Sequence, residues 1–390
     1  MKKILFAIDS LRGGGAERVI SLLANQVSAW GYQTDILLAF DSDVEYYVDK
    51  DIRIYDINGK LIEHEQCSPK KKMEQKASAP VQACTVKKSP ILRVRERISE
   101  YRDKRRRINN IVAFVNAGNY DVIVSFLTST NELVGAASKR MSAKCIISER
   151  CSPVETVLTQ KTGGWTLKQY AKVDCVVFQT EEAMACYPSR IREKGVVIPN
   201  PIKTDLPMPY VGERKKEIVS FGRLDKQKNL PMLISAFANV SKRYPEYTLH
   251  FFGRGQEKEN LLGLIAELGL QEKVIIDDFA KNVHEIVRDA AMYVSSSDYE
   301  GISNSMLEAL AIGLPCVCTD CPVGGARMAI EDGVNGLLVP IKDENALTNA
   351  IERIIQSEEF AEKLSKNAVK IRERWNIETI TKKWLEVIDI

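Results

Sequence analysis

The stretch Glu300-Gly-Ile-Ser-Asn-Ser-Met-Leu-Glu308 carries two carboxylates eight positions apart, with mostly small residues after the first of them. An apolar run from Met292 to Ser297 precedes it and is typical of a strand. Ser303 or Asn304 can cap a helix that Gly313 would end. The sequence therefore predicts a strand, a glycine-containing loop and a helix of about ten residues.

The start of this helix is a predicted anion site. Its first N–H groups have no partner within the helix, and the helix dipole favours a negative group such as a phosphate. Glu300 precedes the helix, and Glu308 lies in its second turn, where side chains lean back toward the N-terminus. Two hydroxyl-binding carboxylates beside an anion site would suit a sugar nucleotide. The alternative is a surface helix with two solvated glutamates, and the spacing alone does not decide between them.

Composition limits the possible classes of protein. A chain of 390 residues with 45% hydrophobic residues should form two domains with cores of ordinary size. We expect no membrane-spanning helix, because no run of eighteen apolar residues occurs. The segment Met1–Ile8 is interpreted as a first strand rather than a signal peptide. Nine scattered cysteines indicate a reducing cytoplasm, and the cluster Cys316, Cys318 and Cys321 lacks a fourth ligand, so no metal site is expected.

Positive charge is concentrated between Lys87 and Arg107. Ten Lys or Arg stand there against three acidic residues, a local charge of +7 in a chain of +3. Apolar residues recur at helical spacing beside these charges: Ile91, Val94, Ile98, Tyr101 and Ile108. We predict a basic amphipathic helix that docks on an anionic membrane surface or captures a lipid-linked diphosphate. The alternative is a helix that packs its apolar stripe on its own domain; nucleic-acid binding would need interleaved aromatic residues and a known motif.

The arginines predicted to contact the membrane are Arg93, Arg97, Arg105, Arg106 and Arg107.

Strand-like and helical segments alternate along both halves of the chain, and Ile198-Pro-Asn-Pro-Ile202 interrupts the pattern. The predicted fold is α/β, with two Rossmann-like domains whose parallel sheets face each other across a cleft. The first domain spans residues 1–200 and includes a mobile loop and the basic helix at 59–107. The second spans 201–375, and 376–390 form a C-terminal helix that can cross back to the first domain.

Glycine-rich and basic loops are predicted at the carboxyl ends of strands, where such sheets bind ligands. The first is Arg12-Gly-Gly-Gly-Ala-Glu17, whose glycines allow a ligand to approach the backbone. It lacks the dinucleotide fingerprint because residue 18 is arginine, which disfavours a Rossmann oxidoreductase. In the second loop, Arg223 and Lys228 are spaced to clamp a diphosphate, or they belong to a solvated basic turn.

These motifs together resemble family four of the retaining GT-B glycosyltransferases, which includes bacterial mannosyl-, glucosyl- and N-acetylhexosaminyltransferases. The resemblance covers nearly the whole chain. It rests on Gly-Gly-Ala-Glu17, Gly222-Arg-Leu-Asp-Lys-Gln-Lys-Asn229, Phe252-Gly-Arg-Gly255 and the run from Glu300 to Pro315, which occur in the family's order.

The resemblance implies three catalytic residues. Arg223 and Lys228 would bind the donor diphosphate and stabilise the leaving UDP, because this fold usually works without a metal. Glu300 would bind hydroxyls of the donor sugar near the reacting carbon, and Glu308 would bind those of the ribose. The remaining implied donor-binding residues are Gly14, Gly15, Gly222, Gly253, Asp278, Phe279, Gly301, Ile302, Ser303, Asn304 and Ser305. No cofactor and no metal are expected.

One departure from the family concerns a histidine that many members carry after the strand equivalent to residues 121–124. This chain continues as Ser125-Phe-Leu-Thr-Ser-Thr-Asn131, and His64, His250 and His284 are not good substitutes. Together with Ile147-Ser-Glu-Arg150, this run resembles a subgroup that extends lipid-linked glycans with N-acetylgalactosamine or related sugars.

Candidates for the acceptor side are Thr128, Glu149 and Arg150.

We therefore predict a retaining, UDP-sugar-dependent hexosyltransferase on the cytoplasmic face of the membrane, as a peripheral protein. Its acceptor would be an undecaprenyl-diphosphate-linked, lipopolysaccharide or other polysaccharide glycan. Three alternatives remain: a soluble sugar-phosphate synthase, a UDP-sugar epimerase of the same fold, and a non-catalytic UDP-sugar-binding protein. The two glutamates favour a transferase over the last two, and the basic helix favours a lipid-linked acceptor over the first.

Overall fold

The computed structural model describes residues 1–63 and 90–390. The chain forms two compact units, one of Met1–Ser148 with Gly164–Val176 and the other of Glu149–Gly163 with Val177–Ile390. The division therefore differs from the predicted boundary at residue 200. Segments 149–163 and 177–200 group with the C-terminal half because their side chains bond to it, as described below.

The first sheet consists of short strands, which are buried at its centre and more exposed at its two edges. Along the chain they are Lys3–Ile8 (β1), Gln33–Leu38 (β2), Arg53–Asp56 (β3), Leu61–Ile62 (β4), Val122–Phe126 (β5), Lys144–Ser148 (β6), Cys175–Phe178 (β7) and Gly195–Val197 (β8). Their order is β4-β3-β2-β1-β5-β6-β7-β8. Strand β1 pairs in parallel with β2 and β5, whereas β3 and β4 form an antiparallel hairpin. The predicted mobile loop therefore starts too early, since residues 61–62 pair with β3; the rest of that prediction, with His64, lies outside the described residues.

The second sheet is parallel throughout. Its strands are Lys215–Phe221 (β9), Thr248–Phe252 (β10), Val274–Asp277 (β11), Ala290–Ser295 (β12), Cys316–Thr319 (β13) and Leu337–Val339 (β14). They lie in the order β11-β10-β9-β12-β13-β14, so the direction of strand addition reverses between β9 and β12. In parallel α/β sheets, ligands bind beyond the strand ends at such a reversal.

Helices cover both sheets. They are Gly15–Ala29 (α1), Pro90–Ala117 (α2), Thr128–Ala137 (α3), Gly163–Tyr170 (α4), Glu181–Ala185 (α5), Ser189–Arg192 (α6), Leu230–Arg243 (α7), Lys258–Glu267 (α8), Val283–Val287 (α9), Asn304–Ala311 (α10), Gly325–Ala329 (α11), Glu344–Ile355 (α12), Glu358–Ala368 (α13), Ile371–Arg374 (α14) and Ile377–Asp389 (α15). Single turns of 3-10 helix occur at Ser138–Arg140 and Lys226–Lys228, and a π-helical turn occurs at Val154–Leu158. The predicted C-terminal helix is present as α15 and belongs to the second unit, where Trp384 is buried beside the Arg150 guanidinium.

The second sheet has a hydrophobic core on each face. Neighbouring residues of one strand enter different cores: Ile218 joins one and Val219 the other, as do Met292 and Tyr293. Side chains of a strand alternate between faces, so a strand buried on both sides must be apolar at successive positions. This explains why the sequence shows continuous apolar runs here rather than an alternating pattern.

Helix α10 begins and ends where the sequence indicates. The Ser303 hydroxyl accepts a hydrogen bond from the Met306 N–H at 3.4 Å, which makes Ser303 the N-cap. Gly313 follows the helix with a φ of 75°, a backbone conformation that glycine adopts readily. The helix is eight residues long, slightly shorter than predicted.

Of the apolar stripe predicted for helix α2, Ile108 is half-buried and Ile98 and Tyr101 are exposed, so the buried residues lie further along the helix. Ile111 and Val115 are fully buried against the first unit, whereas Ile98 and Tyr101 are 46% and 67% exposed. The side chains of Arg93 and Arg97 lie outside the part of the chain that the structure describes. The helix is therefore anchored by its C-terminal half, and the exposed residues before it form a separate surface.

The loops after β9 and β10 stack directly on each other. The Gly222 N–H donates to the Phe252 carbonyl at 3.0 Å, and the Leu224 N–H donates to that of Arg254 at 2.9 Å. A Cβ atom on Gly253 would stand 1.8 Å from the Gly222 carbonyl oxygen. Residue 253 must therefore be glycine for this stacking to form.

We expect Gly253→Ala to lower the free energy of unfolding by about 1–3 kcal/mol, because backbone atoms must move to admit the methyl group. Gly263 in helix α8 is the control, since a Cβ there meets nothing within 4 Å. Gly263→Ala should raise stability by about 0.5–1 kcal/mol. Urea titration of both variants tests this, and equal stability of the two would contradict the close approach.

Candidate active site

Two loops meet at the reversal of strand order in the second sheet. They are residues 222–229 after β9 and residues 296–303 after β12. The Asp298 N–H donates to the Gln227 carbonyl at 2.9 Å, and the Asn229 side-chain amide donates to the Asp298 carboxylate at 2.8 Å. The two loops are therefore held as one surface at the carboxyl ends of adjacent strands.

The carboxylate of Glu300 is the centre of this surface. It accepts hydrogen bonds from Lys228 Nζ at 2.5 Å, Gln227 Nε2 at 3.0 Å and Ser297 Oγ at 3.1 Å. The side chains of Lys228 and Glu300 are only 15% and 16% exposed. A charge pair shielded in this way is stronger than one in open solvent. Two of the three predicted catalytic residues thus contact each other directly.

Arg223 lies at the rim of the same loop. Its side chain is 64% exposed and makes only long contacts of 3.3 Å, to Asp225 and to Gln227. Exposed ion pairs of this kind contribute little free energy, so the guanidinium can reorient at low cost. The structure therefore gives the predicted clamp one largely shielded cation, Lys228, and one exposed cation, Arg223.

The start of helix α10 lies beside the β9 loop. Gly222 has a φ of 147°, and a Cβ atom there would be 3.4 Å from Ser305 Oγ. The first-turn N–H groups of an α-helix lack intrahelical partners, and those of α10 follow directly after the Glu300 loop. The cations and the helix N-terminus thus lie in one place, as the sequence predicts.

A pocket opens among these elements in the second unit. It is lined by Ser220, Phe221, Gly222, Arg223, Leu224, Lys228, Leu230, Phe251, Tyr293, Ser295 and Ser296. Its wall combines a cationic side and small hydroxyls with an apolar floor, which is the character of a ligand site.

Glu308 differs sharply from Glu300, because it is almost fully buried. Its Oε2 lies 2.9 Å from His284 Nε2, and the two side chains are 4% and 7% exposed. His284 also packs edge-on against Phe221, with ring centroids 5.5 Å apart. Sequence analysis did not identify this pair, since nothing in the spacing of residues 284 and 308 indicates a contact.

Two residues that the sequence analysis missed hold the loop around Gly301. The Ile302 N–H donates to Gln179 Oε1 at 3.0 Å, and Asn200 donates to the Ile302 carbonyl at 3.1 Å and to Asn304 Oδ1 at 2.8 Å. Gln179 also donates to Asn200 at 2.7 Å. A Cβ on Gly301 would be 1.9 Å from Gln179 Oε1. The Pro-Asn-Pro motif that interrupts the sequence pattern therefore supplies a buried support for this loop.

The two acceptor-side candidates of the second unit, Glu149 and Arg150, have different surroundings. Glu149 is 3% exposed and accepts from the Tyr187 hydroxyl at 3.1 Å. Arg150 is partly exposed and donates to Asn200 Oδ1 at 2.9 Å, and desolvation lowers the pKa of its guanidinium to about 9. Their predicted contact with an acceptor stays a prediction.

The candidates in the first unit lie on loops at the carboxyl ends of strands. Gly14 is the N-cap of α1 and accepts from the Tyr46 hydroxyl at 2.8 Å; Gly15 begins the helix. Thr128 begins helix α3 after β5. The structure describes them within the first unit, so the predicted contacts of Gly14 and Gly15 with the donor and of Thr128 with the acceptor stay predictions.

The remaining donor candidates follow β10 and β11. The Gly253 N–H donates to the Asp277 carbonyl at 3.1 Å. Asp278 carries an exposed ion pair with Lys258 at 3.3 Å, and the Phe279 ring is 58% exposed. These residues lie at the same edge of the sheet as the pocket, with an aromatic ring open to solvent.

Comparison with known proteins identifies the C-terminal part of the chain. Residues 209–371 match the family described as "Glycosyl transferases group 1". The match covers less than half of the 390 residues. It contains Arg223, Lys228, Glu300, Glu308 and helix α10, so the residues gathered around the pocket belong to the matched domain.

Two relatives of the chain are named for glycans linked to undecaprenol diphosphate. The chain is 36% identical over 159 residues to N-acetylgalactosamine-N,N'-diacetylbacillosaminyl-diphospho-undecaprenol 4-alpha-N-acetylgalactosaminyltransferase of Campylobacter jejuni, an alignment covering 41% of this chain and 42% of that protein. It spans less than half the length of that relative. A second C. jejuni protein, GalNAc-alpha-(1->4)-GalNAc-alpha-(1->3)-diNAcBac-PP-undecaprenol alpha-1,4-N-acetyl-D-galactosaminyltransferase, is 25% identical over 394 residues, covering 100% of this chain and 98% of that one.

The whole chain shares its fold with a solved structure. Anabaena Alr3699/HepE, crystallised with UDP, superposes with a TM-score of 0.75 at 17% identity, covering 99% of both chains. The predicted fold, two α/β units with parallel sheets, is thus confirmed, while the way the units face each other stays a prediction. The family match of residues 209–371 agrees with the predicted enzyme class. Among the residues that the structure describes, no helix has the length and apolarity needed to cross a membrane.

Removing the side-chain amide of Gln179 should weaken the support of the Glu300 loop. We expect Gln179→Leu to lower the free energy of unfolding by about 1–3 kcal/mol, because it leaves the buried Ile302 N–H without its acceptor. Gln160 is an exposed control whose side chain bonds only to the Glu155 carbonyl within the described residues. Gln160→Leu should change stability by less than about 0.5 kcal/mol. If urea titration gives the same value for both variants, Gln179 does not support the loop.

Proposed function

We propose that this chain is a retaining glycosyltransferase that uses a UDP-sugar as its donor. It moves N-acetylgalactosamine, or another N-acetylhexosamine or hexose, onto an undecaprenyl-diphosphate-linked or other polysaccharide glycan. The observation that carries the proposal is the contact between Lys228 and Glu300 at the reversal of strand order. The names of the two C. jejuni relatives support the choice of sugar and acceptor.

Lys228 and Glu300 each satisfy the charge of the other in this structure, and the donor would replace both contacts at once. Its diphosphate would take the Lys228 ammonium, while hydroxyls of its sugar would take the Glu300 carboxylate. Arg223, held only by long contacts, can turn toward the same diphosphate. A ligand that carries only a phosphate or only a sugar would leave one charge of the pair without a partner, which favours a sugar nucleotide.

The departure of UDP from the sugar requires positive charge near the diphosphate. As the bond between the sugar and UDP breaks, negative charge develops on the diphosphate. Lys228, Arg223 and the first N–H groups of α10 would stabilise that charge without a metal ion. Glu300 would lie next to the carbon that gains positive character. Retention of configuration is proposed from the resemblance to family four.

The rest of the donor would extend along the edge of the sheet. Glu308 lies deeper in α10 than the Glu300 loop and would bind ribose hydroxyls. Asp278 and Phe279 lie beyond β11, and the exposed Phe279 ring offers a surface for the uracil base.

We expect Lys228→Ala to lower kcat by about 10²–10³-fold, an increase of about 2–4 kcal/mol in the barrier, because a fixed donor of positive charge is lost. Lys226→Ala is the matched control, since Lys226 is an exposed lysine on the same turn. The assay follows product by mass spectrometry with UDP-N-acetylhexosamines and UDP-hexoses against a lipid-diphosphate acceptor. Calorimetry measures the affinity for UDP separately. If the double variant Arg223→Ala, Lys228→Ala binds UDP with unchanged affinity, the diphosphate assignment is refuted.

We further propose that helix α2 brings the enzyme to the inner face of the cytoplasmic membrane. Arg95, Ile98, Tyr101, Arg102 and Arg105 are all exposed and recur at three- and four-residue spacing, which places them along one side of the helix. Basic residues attract anionic lipid headgroups, and Ile and Tyr can enter the interface between headgroups and acyl chains.

Contacts on the opposite side fix this helix in place. Lys104 Nζ lies 2.8 Å from Glu132 and 3.4 Å from the centre of the Trp165 ring. Arg107 is 18% exposed, bonds to Asp103 at 2.8 Å and lies over the Phe40 ring. Arg107 is therefore a packing residue and is removed from the predicted membrane contacts. Arg106 is exposed but pairs with Asp103.

Reversing two charges on the exposed side should release the protein from anionic vesicles. We expect Arg102→Glu with Arg105→Glu to weaken partitioning by at least about thirtyfold, since each basic residue near the surface contributes about 1 kcal/mol. Arg190→Glu with Arg192→Glu makes the same change of charge at exposed positions of the second unit. Sedimentation with vesicles of phosphatidylglycerol in phosphatidylcholine measures both, and equal loss in the two doubles would mean that net charge alone determines binding.

A further inference from the structure

We propose that His284 is a positioning residue that holds Glu308 in the orientation needed to bind the ribose of the donor. The inference rests on the proposed function, because it assigns Glu308 to the ribose. Its structural basis is the buried contact between His284 Nε2 and Glu308 Oε2 at 2.9 Å.

The geometry limits what the contact can be. An ionised carboxylate only accepts hydrogen bonds, so the imidazole donates through Nε2–H. Both side chains are more than nine-tenths buried, and a hydrogen bond in such surroundings restricts the two groups more firmly than one in water. A carboxylate offers about four lone-pair sites, so the imidazole alone does not fill its capacity to accept.

His284 is itself fixed by the wall of the proposed site. Its ring packs edge-on against Phe221, and Phe221 packs against Tyr293 with ring centroids 4.8 Å apart. Phe221 and Tyr293 both line the pocket, and Gly222, the next residue after Phe221, approaches Ser305 at the start of α10. His284 thus connects the end of strand β9, through Phe221, with the Glu308 carboxylate on α10.

This arrangement predicts a specific role in ribose recognition. A carboxylate free to turn would still bind hydroxyls, but it would lose entropy each time it did so. Fixing it beforehand improves the binding of the hydroxyl without any contact between His284 and the nucleotide. Loss of the imidazole should therefore reduce the preference for ribose and leave the diphosphate contacts intact.

The experiment compares UDP with 2′-deoxy-UDP by calorimetry. In the unmodified protein we expect UDP to bind about tenfold or more tightly than the deoxy ligand, as a hydrogen bond to a charged group implies. His284→Phe keeps a ring against Phe221 but removes the donor, and it should bring the ratio of the two dissociation constants close to one. His284→Gln places an amide N–H near the position of Nε2 and should restore most of the ratio.

A purely structural role would weaken both ligands equally or lower the melting temperature without changing the ratio. If His284→Phe does not fold, His284→Asn replaces it, because its amide corresponds to Nδ1 and cannot reach Glu308. It should also bring the ratio of the two dissociation constants close to one. A ratio that is unchanged in both His284→Phe and His284→Asn would overturn the inference while the proposed function stands. An unmodified protein that binds neither ligand would overturn the proposed function, and this inference with it.

Discussion

The structure around the pocket depends on a buried charge pair between two loops that are far apart in sequence. Lys228 follows β9 and Glu300 follows β12, strands that are neighbours because the sheet reverses its order between them. An ammonium and a carboxylate shielded from water must each have a partner, so neither loop can move far without the other. The same requirement makes the site responsive to ligands, because anything that takes one charge must also satisfy the other.

Uncharged contacts below this pair provide the rigidity. Gln179 and Asn200 hold the backbone of Ile302, and Gly301 is needed there because any side chain would overlap with Gln179. Gly253 is needed for the same reason, because a side chain there would overlap with the Gly222 carbonyl. The glycines of this site thus serve close contacts within the protein as well as the approach of a ligand. The residues that support the cationic loops are thus glutamine, asparagine and glycine, none of which is charged.

The features of the site that depend on neighbouring residues were predicted from the sequence, whereas contacts between distant residues were not. The cap at Ser303, the stop at Gly313 and the cations of the β9 loop depend on neighbouring residues, and the structure contains them as predicted. The contacts of Ile302 with Gln179 and of Glu308 with His284 join residues 123 and 24 positions apart, and such pairings leave no periodic signal. The same limit explains why the exposure of Ile98 and Tyr101 could not be predicted. Helical spacing indicates an apolar stripe, but it does not indicate whether that stripe contacts the protein or the solvent.

The two glutamates that look equivalent in the sequence have opposite physical settings. Glu300 is held by a lysine, a glutamine and a serine at the edge of the pocket, groups that can rearrange when a ligand arrives. Glu308 lies in the interior, where its contacts include the His284 imidazole, which packs edge-on against the Phe221 ring. A donor's nucleotide is the same in every UDP-sugar, whereas its sugar differs between substrates. The adaptable carboxylate is therefore suited to the variable part of the donor, and the fixed carboxylate is suited to the constant part.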